Sequence, residues 1–303
     1  MILAMYSIFV FIFIGYVAKI LRLVGNKQSG ILLGFLLNFA LPAQIFNGTY
    51  HAEIDIAFLF MCCIALLCNI CAAMILLLIG KLFHIHKDNI IVLCLMGMLG
   101  NTLYLGLPII KGALGEDYAN QVVVYDQFVT GIPFAFLAPI ILSLGGKGTF
   151  SLRAVMIRLF KSPLFLSLIC GFAFRLIPFE IPQDLFVPLQ SLAQTATPVA
   201  LFAIGVQLEL KGILDWKLTS LLLTAKMILA PLIMFCFVYF VIGGFTNQWR
   251  MALLEVAMPP LVSGVVLAIK AKLNGRLALN SVAFGLLISF ITIPAWLFCI
   301  ENI

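Results

Sequence analysis

Ten apolar stretches, each about as long as a bilayer is thick, follow one another along this chain with little between them. They cover residues 2–18, 30–48, 56–80, 89–110, 118–144, 163–179, 186–208, 217–242, 248–269 and 277–300. A helix needs about 20 mostly apolar residues to cross the hydrocarbon, so the pattern predicts ten crossings and leaves no room for a soluble domain. Composition closes off the alternative. Of 303 residues, 64% are hydrophobic and 10% charged, whereas soluble domains carry about a quarter charged residues. The first stretch has its positive charges after the apolar run and no small-residue cleavage site, so it reads as a span rather than a cleaved leader.

The formal charge of +6 does not point to nucleic acid, because the basic residues sit in short inter-span loops. Fourteen of the eighteen Lys and Arg residues fall in loops after odd-numbered spans. The positive-inside rule then puts those loops in the cytoplasm and both termini outside, in a plasma (bacterial inner) membrane. The eight cysteines all lie within spans. Cys68 and Cys71 form a CxxC that a soft metal could use, against the simpler role of small buried hydrophobes. His84 and His86 lie in a basic loop without a third ligand. No metal and no cofactor is expected.

Ten spans with a long basic connection at the midpoint suggest duplication: a first repeat over 1–144, a linker over 145–162 and a second repeat over 163–303. Span two carries LPAQIF (41–46) and span seven TPVALF (197–202). Span four carries GNTLYLGLP (100–108) and its counterpart, span nine, AMPPLVSG (257–264). An odd number of spans per repeat forces the second copy to enter the membrane inverted. The expected fold is thus all-α, with two inverted five-helix repeats and interrupted, crossing helices four and nine. Secondary transporters are built this way, with the site near the bilayer midplane. Pro removes a donor and clashes with the preceding turn, and each break would expose peptide groups that lipid cannot satisfy. Two breaks become tolerable when the helices cross around a polar site, where half-helix N-termini favour an anion such as a carboxylate.

Charges inside spans are costly and mark candidates for function. Asp126, Glu255 and Lys226 are three of these. They could form a structural pair, compensate substrate charge, or include a carboxylate that carries a coupling proton. Arg175 sits near a span end and can snorkel. Asn69, Gln194, Gln207 and Asn280 read as helix-to-helix hydrogen-bonding residues.

NTLYLGLP and AMPPLVSGVVLAIKAKLN resemble the span-four and span-nine crossover motifs of the auxin efflux carrier family. LLNFALPAQIF and TATPVALFAIGVQL resemble its span-two and span-seven motifs. That family includes plant PIN carriers and bacterial members linked to malate, malonate and related acids. The resemblance covers essentially the whole chain, and the short central loop is similar to that of bacterial members. It implies a scaffold of helices 1, 2, 6 and 7, a transport domain of helices 3–5 and 8–10, elevator-like alternation and a dimer through the scaffold.

It also implies that Asn101 faces the substrate carboxylate. Supporting candidates for substrate binding are Gly100, Thr102, Tyr104, Gly106 and Pro108 from span four and Pro259, Pro260 and Ser263 from span nine. A Tyr-Asp similar to that at Asp126 recurs in bacterial members. The expected function is carrier-mediated movement of a small organic anion, with proton or sodium as candidate coupling ions and lipid as the surrounding partner. An anion channel or uncoupled facilitator is the alternative. The chain has no GxGD, GxSG or HExxH motif, and GGKGT (145–149) lacks P-loop spacing, so neither an intramembrane enzyme nor an ATP-driven pump is expected.

Overall fold

The computed structural model describes residues 2–144, 146, 150–178, 182–208 and 216–302. Lys147, Lys211 and all of the GGKGT stretch except Gly146 lie outside the described residues. The described chain is helical: α1 (Ile2–Ile20), α2 (Asn26–His51), α3 (Ile56–Leu82), α4 (Lys87–Met98), α5 (Thr102–Leu114), α6 (Glu116–Ser143), α7 (Leu152–Phe160), α8 (Pro163–Arg175), α9 (Asp184–Gln207), α10 (Trp216–Ile242), α11 (Asn247–Val256), α12 (Val262–Lys270) and α13 (Gly275–Glu301). Single π turns interrupt α2 at Leu36–Ala40, α6 at Gln127–Gly131 and α10 at Ala225–Leu229; another opens α5 at Thr102–Gly106.

Among the described residues, seven helices are long and apolar enough to cross a membrane: α1, α2, α3, α6, α9, α10 and α13. They correspond to expected spans one, two, three, five, seven, eight and ten. The other three expected spans are not single rods. Span four is divided into α4 and α5, and span nine into α11 and α12. The 12 residues of α4 reach only about 18 Å at 1.5 Å per residue, short of the ~30 Å core. Span six is α8, bent by 63° from α7, and the pair counts as an eighth crossing when taken together. The expected linker over 145–162 therefore contains a nine-residue helix. That helix exposes Leu152, Met156, Ile157 and Phe160 beside two arginines while burying Val155.

The chain divides into two compact units. The first comprises Met1–Ile54, Leu103–Gln127 and Arg153–Leu208; the second comprises Asp55–Thr102, Phe128–Leu152 and Glu209–Ile303. In the first unit α1 packs along the second half of α9 at unusually close range. A Cβ on Gly15 would run into the Phe202 carbonyl, and one on Gly205 into the Ile12 carbonyl. The contact is thus glycine against backbone on both helices, the small-residue packing that membrane helices use in place of a hydrophobic drive. Polar side chains add to it: Ser29 Oγ donates to the Ala203 carbonyl at 3.1 Å, and Gln207 Nε2 donates to Ser29 Oγ at 3.1 Å. Lys19 donates to the Leu208 carbonyl at the C-terminal end of α9, a position that favours a cation. Arg175 donates to the Ala52 carbonyl just after α2.

The second unit centres on a core of Leu76, Leu93, Met96, Leu222, Met227 and Val265 with their neighbours, contributed by α3, α4, α10 and α12 and closed by α13. Every one of these helices carries Leu, Met, Val or Ala where it meets the others. What distinguishes this unit is the polar backbone that the core encloses.

Candidate functional site

α4 stops at Met98, where Leu99 turns extended at φ −119°, ψ 135°, and α5 starts again at Thr102. α11 stops at Val256, and Leu261 is extended at φ −66°, ψ 127° before α12 begins. These two short extended stretches, both in the second unit, run antiparallel and pair through Gly100 and Pro260. The Asn101 N–H donates to the Pro259 carbonyl at 2.8 Å, and the Leu261 N–H donates to the Leu99 carbonyl at 3.1 Å. Each break therefore satisfies peptide groups freed by the other, the accounting that a buried, lipid-surrounded backbone demands. The adjacent prolines help in a second way: neither Pro259 nor Pro260 brings an N–H that would need an acceptor.

The carbonyls freed at the end of α11 are also accounted for. Leu253 accepts from the Ala257 N–H and Glu255 from the Met258 N–H. Val256 accepts from Lys226 Nζ at 2.8 Å, and the same ammonium donates to Asn69 Oδ1 on α3 at 2.6 Å. Lys226 is fully buried and lies in the π turn of α10, a local widening that often marks functional positions. Trp296 of α13 steadies that turn by donating its indole N–H to the Met227 carbonyl at 2.9 Å. Glu255, also buried, lies within Coulombic range of the Lys226 ammonium. Gly100 completes the cluster: a Cβ there would sit 3.3 Å from Lys226 Nζ and 3.3 Å from Met258 Cβ. A larger residue at position 100 would push the ammonium off its oxygens or separate the paired stretches.

The structure thus brings Gly100, Asn101, Thr102, Pro259, Pro260, Glu255 and Lys226 together in one unit. Asn101 is 2% exposed, and its side-chain oxygen is buried without a hydrogen bond. Thr102 Oγ1 lies 3.2 Å from Thr130 Oγ1. Ser263 is exposed on the first turn of α12. The remaining candidates belong to the first unit. Tyr104 and Gly106 are buried in the π turn that opens α5. Asp126 is buried and accepts from Gln127 Nε2 at 2.9 Å.

Pro108 lines a cavity of about 990 Å³ within the first unit. Its walls carry two polar stripes that the sequence reading did not single out as a site: Gln44, Asn47 and His51 on α2, and Gln190, Gln194 and Thr197 on α9. Both follow spacings of three and four residues, which place side chains on one helix face; that periodicity was the available signal. The Asn47 side-chain oxygen is buried without a hydrogen bond. At the rim, Lys111 and Glu116 form an ion pair at 2.5 Å, with both side chains more than half exposed. Asn69 is the other residue whose weight the sequence reading set too low. An Asn in a span is ordinary; what matters is its partner on another helix, 157 residues away.

In the CxxC, Cys68 is buried and Cys71 exposed, so the two thiols face different surroundings. Among the described residues, no group of three His, Cys, Asp or Glu side chains is placed to hold a metal ion.

Lipid-length helices, two interrupted helices paired backbone to backbone, and a polar cavity inside an apolar chain define a multi-pass membrane transport protein. The chain belongs to the membrane transport protein family, whose model matches residues 1–146 and 147–297; this is the auxin efflux carrier family that its four motifs resemble. It is 23% identical over 297 residues to an uncharacterized transporter of Methanothermobacter thermautotrophicus, covering 96% of this chain and 95% of that protein. An uncharacterized transporter of Methanocaldococcus jannaschii is 22% identical over 301 residues, with 95% of each chain covered. A Rhizobium meliloti protein provisionally named a malonate transporter is 26% identical over 211 residues, covering 68% of this chain and 66% of that protein.

Proposed function

We propose that the protein is a secondary carrier for a small organic anion, with the paired breaks of the second unit as its binding site and alternating access as its mechanism. The observation that carries this reading is Asn101. It sits beside the Gly100–Pro260 pairing, almost fully buried, with an amide oxygen that has no partner inside the protein. A buried polar group is normally hydrogen-bonded; the unpartnered oxygen accepts from a hydroxyl or a protonated carboxyl of the substrate, while the amide N–H groups donate to its carboxylate. Lys226 adds a positive charge close to the same place.

The first unit, taken by itself, offers a second place to hold the same substrate, its cavity. Its polar stripes are amides, a hydroxyl and one imidazole, which suit a compact acid with several polar groups better than a flat aromatic one. The name of the Rhizobium meliloti relative agrees with such an acid. If the basic loops lie in the cytoplasm, the cavity opens on the outer side, because its rim is formed by the α5–α6 connection and the start of α1. In an elevator mechanism the second unit would be the moving domain and the first the scaffold.

The test is uptake of malonate and malate into proteoliposomes, with substrate preloaded on the opposite side. A carrier is accelerated by trans substrate, whereas a channel gives linear flux without acceleration. Asn101→Ala removes a hydrogen bond to a charged group, worth about 1.5–3 kcal/mol. The expected result is a rise in apparent KM of about tenfold or more. An unchanged KM would remove Asn101, and with it the site, from the mechanism.

A further inference from the structure

The oxygen atoms around Lys226 form the kind of cluster that ordinarily binds a metal cation. Val256 supplies a main-chain carbonyl at 2.8 Å and Asn69 an amide oxygen at 2.6 Å, and the Glu255 carboxylate is within Coulombic range. Val256 is the last residue of α11, so the negative end of a half-helix dipole points here. Carbonyls at unwound helix ends, together with side-chain oxygens, are the ligands that carriers use for coupling cations, and hard cations select oxygen ligands.

In this chain the oxygens are filled by an ammonium carried on α10. Burying a lysine is expensive, and a neutral donor could have satisfied Val256 and Asn69. The charge is what a neutral donor would lack, facing a carboxylate and a helix C-terminus.

We infer that the Lys226 ammonium is a tethered cation occupying what would otherwise be an alkali-metal site beneath the paired breaks, so that the protein needs no sodium ion there. The ammonium's place under Gly100, where an added Cβ would lie 3.3 Å from Nζ, joins its presence to the integrity of the pairing. A sodium gradient therefore cannot drive transport through this position. The inference concerns cation occupancy alone and is tested without any organic acid, so its failure would leave the carrier reading standing, and the reverse also holds.

The experiment is thermal unfolding of the purified full-length protein in sodium chloride, methylammonium chloride and choline chloride at equal ionic strength. Wild type is expected to unfold at the same temperature in all three; stabilisation specific to sodium would overturn the inference without need of any variant. Lys226→Ala opens the site and is expected to unfold several degrees lower in choline, recovering at least half of that loss in sodium or methylammonium. Lys226→Met fills the space without charge and is expected to stay low in every salt. Failure of either small cation to restore Lys226→Ala, or a Lys226→Met as stable as wild type, would overturn the inference. If Lys226→Ala yields folded protein only when purified with sodium or methylammonium, that result supports it.

Discussion

Leu261→Pro isolates a single hydrogen bond of the paired breaks. Leu261 has φ −66°, the angle to which a proline ring holds its residue, so the substitution suits the local dihedral, although its Cδ takes the place of the N–H and crowds the Leu99 carbonyl. What it removes is the N–H that the Leu99 carbonyl accepts at 3.1 Å. Leu99 is buried, and a buried acceptor left without its donor costs about 1–3 kcal/mol.

Two corrections apply. The Leu261 side chain packs partly buried against Ala73, Met98 and Leu99, a contribution that Leu261→Ala reports separately. Proline also restricts the unfolded chain, returning about 0.4–1 kcal/mol. Leu261→Pro should then be at least about 1–2 kcal/mol less stable than Leu261→Ala, the remainder of those two effects, with the crowding of Cδ against the Leu99 carbonyl adding to it. Reversible unfolding in mixed micelles titrated with a denaturing detergent measures the difference. If the two variants are equally stable, the Leu99 carbonyl does not depend on Leu261, and the claim that each break satisfies the other fails.

Three further outcomes test other parts of the structure. Gly205→Leu should separate α1 from α9, because its Cβ falls on the Ile12 carbonyl; overpacking of this kind costs about 1–3 kcal/mol, and an unchanged unfolding temperature would contradict the close contact. Met156→Cys, labelled with an environment-sensitive dye in nanodiscs, should report an apolar setting quenched by lipid-borne quenchers, as an amphipathic α7 lying on the membrane surface requires; water-like emission would refute that placement. On a cysteine-free background, Asp117→Cys should react with a membrane-impermeant maleimide in intact cells while His86→Cys should not, and the opposite pattern would invert the orientation.

Much of the fold was legible because membrane insertion is written in local composition. Runs of apolar residues show as spans in any sliding window, and the adjacent Pro259 and Pro260 announce a breaker; Pro108, expected to help interrupt span four, lies inside α5, and the break comes earlier, at Leu99–Asn101. The candidate site was legible in part for the same reason: Gly100, Asn101, Pro259 and Pro260 are conspicuous among apolar neighbours. The cavity stripes at Gln44, Asn47 and His51 and at Gln190, Gln194 and Thr197 were present as periodicity, but amides in spans are common enough to pass as helix-to-helix contacts. The bend between α7 and α8 and the helix within the expected linker were hidden, because Leu152–Phe160 mixes arginines with apolar residues and reads as a loop when only charge is counted.

Taken alone, the sequence determined that this chain lives in a membrane, roughly where most of its apolar spans lie, and that spans four and nine are interrupted. Those properties depend on neighbours along the chain. Only the tertiary structure decided that the Leu99 carbonyl is satisfied by Leu261, that Pro259 accepts from Asn101, and that Lys226 closes on Asn69 and Val256. The partners in each of these bonds lie 30 or more residues apart, and most lie more than 150 apart. A buried donor or acceptor requires some partner, but composition does not name it; the name comes from which helices the packed core brings side by side.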